Sequence, residues 1–174
     1  MSSMELFGAS IALSFIAWGV VMASCFWPEL RSRPRAEALR PLLLLHPFRF
    51  VGLAFLVPGV VSPELPAAWS RPAAYGDLVA ALLALLALAG LKSRLGTALV
   101  WVFSLWGATD LLHAFYQGNA VGLDPGHLGA GYFIITVLVP LLLITHALVF
   151  WLLLHNETAA RARTAQDAQP NPRA

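Results

Sequence analysis

The sequence predicts an all-α protein, a polytopic bundle of five transmembrane helices. Hydrophobic residues make up 59% of the 174 residues and charged residues only 11%, whereas an ordinary soluble domain carries about 25% charged residues. The apolar residues form long runs, and a run of about 20 such residues is what the hydrocarbon core of a bilayer requires. This composition argues against a soluble enzyme, and it gives no reason to expect nucleic acid as a partner.

Five segments are long and apolar enough to cross a bilayer as helices. At a rise of about 1.5 Å per residue, each spans about 30 Å. The predicted spans are residues 7–27, 41–62, 72–91, 97–117 and 131–154, which together form a bundle over residues 1–155. Residues 156–174 are rich in Ala, Arg, Gln and Pro and have no core-forming face, so we predict a disordered cytoplasmic tail there.

The first three spans carry different signals. The first presents small residues on one stripe, among them Ser10 and Ser14, and small residues let helices approach closely in lipid. The second contains Pro58, which we expect to kink it. The third is divided by Asp77, so the alternative to a full span is a shorter helix that has Asp77 as its N-cap.

The third span also has a small-residue stripe, and the fifth span has a proline. Ala80, Ala84 and Ala87 recur at helical spacing and predict a close helix contact. Pro140 is expected to kink the fifth span. The loop before that span is rich in glycine and contains an Asp-Pro-Gly sequence, which is typical of a tight turn.

The basic residues predict the orientation of the bundle. Nine of the eleven Lys and Arg residues lie in the segments 31–40 and 92–96 and in the tail. With five spans, these three segments lie on the same side of the membrane. The positive-inside rule therefore predicts an outside N-terminus and a cytoplasmic C-terminus. Ten arginines against one lysine fit a GC-rich bacterial genome, so we expect a multi-pass protein of the cytoplasmic (inner) membrane.

Polar residues on the fourth span are the main candidates for function. Helical spacing places them within about one third of the helix circumference, and the fifth span adds Tyr132 and Thr136 from the same side. We expect these residues to line an outward-facing polar pocket, with Asp110 roughly 10 Å below the outer interface. The stripe on the fourth span consists of Trp106, Thr109, Asp110, His113, Tyr116 and Gln117.

The alternative is that these polar residues are structural. Tyr116, Gln117 and Tyr132 would then be interface anchors, and Asp110 would only bond to a neighbouring helix. Within a functional pocket, Asp110 and His113 at i and i+3 share a helix face and form a candidate proton relay.

A metal site is a further interpretation of residues on the same side. Asp110-x-x-His113 and Asp124-x-x-His127 together offer two carboxylates and two imidazoles, which is enough for a four-coordinate zinc or a similar ion. Turn chemistry explains Asp124 without a metal.

Two histidines lie at similar depth in the inner half of the predicted bundle. His46 and His146 are about 8 Å and 12 Å from the cytoplasmic interface, as a bis-histidine haem b site or a nearby quinone site would require. The alternative is that each histidine donates to a backbone carbonyl or a lipid headgroup.

Arg49 follows His46 by one turn, inside the second span. Its long stem permits snorkelling to the cytoplasmic headgroups, which is the arrangement that we expect. The alternative is an intramembrane ion pair with Asp110, which would pin the second span against the fourth.

No sequence motif specifies a reaction, a substrate or a particular cofactor. We therefore expect a non-catalytic binding or accessory component with membrane lipids as partners, together with other membrane subunits or further copies of the chain. One alternative is a proton-coupled transporter or conducting element that uses Asp110 and His113. The other is a redox subunit that uses His46 and His146.

Overall fold

The computed structural model describes residues 1–167, with side chains described through residue 155. The described chain is helical and contains no β-strand, and five of its helices are long and apolar enough to cross a membrane, as predicted. These are α1 (Ser3–Leu30), α2 (Arg35–Leu56), α3 (Ala67–Gly90), α4 (Gly96–Ala120) and α5 (Gly131–His155).

The helix of α5 continues to Asp167. Residues 168–174 of the predicted tail lie outside the described residues. The disorder of the tail stays a prediction.

Helix α1 lies at the edge of the bundle. A capping box between Ser2 and Glu5 begins it, and none of its residues from Ser3 to Val21 is buried. It is held to α5 by few polar contacts, including a hydrogen bond from Trp18 Nε1 to the Val137 carbonyl at 3.0 Å. This part of α1 is therefore only loosely packed against the rest of the described chain.

Helix α2 changes type along its length. It is α-helical over Arg35–Leu43 and 3₁₀-helical over His46–Leu56. It ends before Pro58, so the predicted kink is wrong. Val57, which precedes this proline, is extended, as residues before proline prefer, and Gly59 with φ of 85° turns the chain away.

Helix α3 is long and apolar enough for a full span. It begins after Pro66 and contains Asp77 in its interior, so the shorter helix with Asp77 as N-cap is wrong. Ala80, Ala84 and Ala87 are fully buried, and they let neighbouring helices approach closely.

In α5 the helix is irregular next to Pro140. A π-helical segment, Ile134–Leu138, directly precedes the α-helical part that contains this proline. Proline has no N–H and therefore interrupts the i→i−4 hydrogen bonds at this point.

The loop between α2 and α3 (residues 57–66) and the loop between α4 and α5 (residues 121–130) meet at one end of the bundle, and the sequence predicts both on the same side. The backbone N–H of Ser62 donates to the His127 carbonyl at 2.9 Å, and that of Ala130 donates to the Val60 carbonyl at 3.0 Å. The start of α1 lies at this end too, so we call it the amino-terminal end. At the opposite end, Arg35 donates to the Thr97 hydroxyl at 2.8 Å.

Three apolar clusters fill the interior of the described chain, and a polar layer lies between the two larger ones. Toward the amino-terminal end, Phe55, Trp69 and Leu128 belong to one cluster. Toward the opposite end, Phe103 and Leu152 belong to the other. Among the described residues, the buried charged side chains, Arg49 and Asp77, occur between these two clusters.

Candidate functional site

Arg49 is the centre of the polar layer and is almost fully buried, with 1% of its surface exposed. Its Nε donates to Asp77 Oδ1 at 2.7 Å and its Nη2 donates to Asp110 Oδ2 at 2.6 Å. Its Nη1 donates to the Gly107 carbonyl at 3.0 Å. We call Arg49, Asp77 and Asp110 the ion triad. It links α2, α3 and α4. We expected Arg49 to snorkel to the cytoplasmic headgroups, and this expectation is wrong, because its guanidinium is bonded inside the bundle.

Each of the three helices supplies a glycine that makes room for the triad. A Cβ at Gly52 would lie 2.1 Å from Asp77 Oδ2, and one at Gly76 would lie 1.8 Å from Asp110 Oδ1. A Cβ at Gly107 would lie 2.8 Å from Arg49 Nη1. Any larger residue at these positions would displace a charged group, so the glycines allow the close approach of helices that the triad requires.

A cavity of about 360 Å³ lies between the triad and the amino-terminal end. Asp77 and Asp110 line it, while Arg49 is behind them and does not. Its walls are mostly apolar and come from all five helices. They include the aromatic residues Phe7, Phe55, Trp69 and Phe115.

Trp69 is fixed in the cavity wall by two contacts. Its Nε1 donates to the Ala114 carbonyl at 2.8 Å, and its ring meets that of Phe55 edge to face, with centroids 5.0 Å apart. This wall is therefore preorganised, because the indole has both its polar and its apolar requirements met.

The predicted polar stripe on α4 does not line the cavity, except for Asp110. Thr109, His113 and Tyr116 are exposed and Gln117 is half-buried. Trp106 is 47% exposed. The buried row of α4 is instead small and apolar, with Phe103, Gly107 and Leu111 among its members. The helix packs its small and apolar face inward, because close helix contact in lipid depends on packing rather than on polarity.

Tyr132 and Thr136, the residues of α5 that we expected in the pocket, make hydrogen bonds away from the cavity. The Tyr132 hydroxyl lies 2.9 Å from Ser10 Oγ, and Thr136 Oγ1 donates to the Tyr132 carbonyl at 2.8 Å. Neither residue lines the cavity. The expectation of a polar pocket lined by both helices is therefore replaced by an apolar cavity with two carboxylates at its floor.

The four predicted metal ligands are not brought together. Asp110 bonds to Arg49, and His113 is exposed. Asp124 accepts from the N–H of Gly126 at 2.8 Å, and His127 Nε2 lies 3.0 Å from a carboxylate oxygen of Glu64. Among the described residues, no three His, Cys, Asp or Glu side chains are grouped so that they could hold a metal ion.

His46 and His146 do meet, on the side of Arg49 that faces away from the cavity. Their ring centroids are 4.3 Å apart, and Phe103 contacts both rings. His46 Nε2 lies 3.0 Å from the Thr145 hydroxyl. Within the described residues, His46 Nδ1, both ring nitrogens of His146 and Ser104 Oγ are buried without a hydrogen-bond partner.

This arrangement does not fit a bis-histidine haem. Such a site needs the macrocycle between two imidazoles that ligate iron from opposite faces. Here the two rings contact each other directly, and only 0% of the surface of His46 and 1% of that of His146 is exposed. The pair is a packed element of the core.

Asp77 and the three glycines are the functional candidates that the sequence interpretation missed. A signal for them exists in the sequence, since each charged residue of the triad has a glycine within three positions. Arg49 precedes Gly52, Gly76 precedes Asp77, and Gly107 precedes Asp110. A glycine beside an ionisable residue within a span indicates a buried charge contact that needs space.

The chain belongs to the family described as domain of unknown function (DUF8737), which matches residues 6–154. No curated protein and no solved structure matches the chain. The family match covers nearly the whole bundle, and it includes the ion triad and most of the cavity wall.

Proposed function

We propose that this protein is a non-catalytic membrane-embedded binding component that holds a small amphipathic molecule between its five helices. The cavity is the observation that carries this proposal. Ligand sites in proteins typically have volumes of about 300–1,000 Å³, with mostly apolar and aromatic walls and a few polar groups that orient the ligand. A 360 Å³ cavity with aromatic walls and two carboxylates at its floor has these properties.

The polar groups in the cavity support binding rather than catalysis. Asp77 and Asp110 are both held by Arg49, which fixes their positions. The remaining polar side chain among the described lining residues is that of Asn119, at the amino-terminal end. Fixed carboxylates orient a ligand, and this set offers no nucleophile with an adjacent base.

We further propose that the protein is a multi-pass component of the bacterial cytoplasmic membrane, with its N-terminus outside. The distribution of basic residues supports this orientation, and the cavity would then open toward the outside. Membrane lipids are partners in this proposal, together with a second subunit or copy. The exposed apolar surface of α1, which includes Leu13, Ile16 and Val20, supports such contacts.

The proposal is tested by native mass spectrometry of protein extracted gently from its own membrane. We expect a small-molecule adduct on the wild-type protein and its loss from Ala114→Phe, because the added ring would fill the cavity that Ala114 lines. The matched control is Ala120→Phe, at an exposed position of the same helix, which should retain the adduct.

A brominated phenylalkanol provides a second test, because bromine quenches tryptophan emission on contact. The probe should quench wild-type emission more than that of Trp69→Phe, since Trp69 lies in the cavity wall. The proposal is wrong if the probe quenches both proteins equally and no adduct distinguishes Ala114→Phe from its control.

A proton-conducting role for Asp110 is the second candidate function. The observation in its favour is a carboxylate at the floor of a cavity within a span. Arg49 is the ion-pair partner of Asp110, whereas His113 is exposed, so Asp110 carries this role without His113. Proteoliposomes should then show proton flux with the wild-type protein and reduced flux with Asp110→Asn. Equal flux would exclude this role.

A further inference from the structure

We propose that the ligand of the cavity is a lipophilic cation, such as a hydrophobic amine or quaternary ammonium compound, and that its charged group binds against Asp77 and Asp110. This inference rests on the proposed binding function. It adds the chemical class of the ligand.

The charges of the ion triad do not balance. When all three groups are ionised, two carboxylates face one guanidinium, which leaves one net negative charge. In the part of the chain that the structure describes, Arg49 is the one cationic group bonded to either carboxylate. An uncompensated charge within a membrane span is costly, and a bound cation removes this cost.

The negative groups of the triad are the ones that face the cavity. The side chains of Asp77 and Asp110 retain 11% and 14% exposure, and that of Arg49 retains 0%. Arg49 occupies one oxygen of each carboxylate. Asp77 Oδ2 and Asp110 Oδ1 accept no hydrogen bond from the described residues and lie against Gly52 and Gly76. A ligand that reaches the floor meets the two carboxylates, which line the cavity, with the guanidinium behind them.

The walls of the cavity fit the same class of ligand. Phe7, Phe55, Trp69 and Phe115 surround the space above the carboxylates. Aromatic faces attract cations, and an apolar ligand body gains from burial against them. An anionic ligand of the same shape would be repelled at the floor, and a neutral one would leave the net charge uncompensated.

Three probes of matched shape test the inference. They are phenylbutyltrimethylammonium, its isostere with a quaternary carbon in place of nitrogen, and the corresponding phenylbutyl sulfonate. Binding is measured in phosphatidylcholine nanodiscs by competition with the brominated phenylalkanol that quenches Trp69. The wild-type protein should bind the cation about tenfold or more tightly than the neutral isostere, and the sulfonate least tightly.

Asp110→Asn should reduce this preference for the cation to about one- to threefold. The asparagine keeps an acceptor for Arg49, and the preference is a ratio of two affinities of the same variant, so a general weakening of the cavity cancels in it. The matched control is Glu29→Gln, which removes a carboxylate at the opposite end and should leave all three affinities unchanged.

Two results separate the failure of this inference from the failure of the proposed function. If the wild-type protein binds the cation and its isostere equally, the inference is wrong, because a proton already balances the triad, and the binding function stands. If no probe displaces the brominated compound and that compound does not quench Trp69, the proposed binding function itself is wrong.

Discussion

Replacement of Arg49 by methionine should destabilise the protein strongly. The methionine leaves two carboxylates facing each other in the interior, without the three hydrogen bonds of 2.6 to 3.0 Å that the guanidinium donates. Removal of one partner of a buried ion pair typically costs about 3–5 kcal/mol. A loss of that size is a large part of the roughly 5–15 kcal/mol that stabilises a typical folded protein.

The free energy of unfolding is measured by titrating sodium dodecyl sulfate into mixed micelles while following far-ultraviolet circular dichroism. The matched control is Arg33→Met, because Arg33 forms an ion pair with Glu29 and both side chains are exposed, at 42% and 63%. Exposed pairs contribute about 0–1 kcal/mol, so this variant should lose at most that amount.

A triple variant separates the loss of the cation from the loss of packing. Arg49→Met combined with Asp77→Asn and Asp110→Asn removes the unpaired carboxylates, so it should recover much of the stability lost by Arg49→Met alone. The reasoning is refuted if Arg49→Met loses no more stability than Arg33→Met. It is also refuted if the triple variant is less stable than the single one.

Three other predictions concern packing, hydrogen bonding and orientation. Gly107→Ala should lose about 1–3 kcal/mol in the same titration, because its Cβ would lie 2.6 Å from a histidine ring nitrogen and overpacking is costly. Gly19→Ala has open space around its Cβ and should lose nothing. Thr145→Val should lose about 1–3 kcal/mol, because it leaves a buried imidazole nitrogen without its partner. In a cysteine-free background in intact cells, a membrane-impermeant maleimide should label Asn119→Cys and not Ser32→Cys. The reverse labelling would overturn the orientation.

The helices were predictable from the sequence because both their length and their apolar composition can be read from it. The length of the apolar runs identified five candidate spans, and the small-residue stripe of Ala80, Ala84 and Ala87 identified a buried face of α3. The ends of α2 were not predictable from hydropathy. Its start at Arg35 lies in a polar segment, and its end at Leu56 is set by the turn around Pro58 and Gly59.

The candidate site was predictable only in part. Asp110 was identified because an ionisable residue within a span requires a partner, and Arg49 was one of the partners considered. The inward face of α4 was assigned wrongly, because polarity was used as the sign of an interior position. In this bundle the interior positions of α4 are marked by small residues such as Gly107, since the close approach of helices depends on them.

The 3₁₀ segment of α2 explains how one helix reaches three features of the interior. A 3₁₀-helix has three residues per turn, so residues three apart lie on the same face. His46, Arg49, Gly52 and Phe55 follow this spacing, and all four are buried. In an α-helix each step of three residues would turn the side chain by about 60°, so that His46 and Phe55 would point to opposite faces. The tighter helix instead aligns the histidine pair, the ion triad and the cavity wall in one row. A change that converts this segment to a regular α-helix would therefore separate the triad from the cavity, even if every side chain of both were kept.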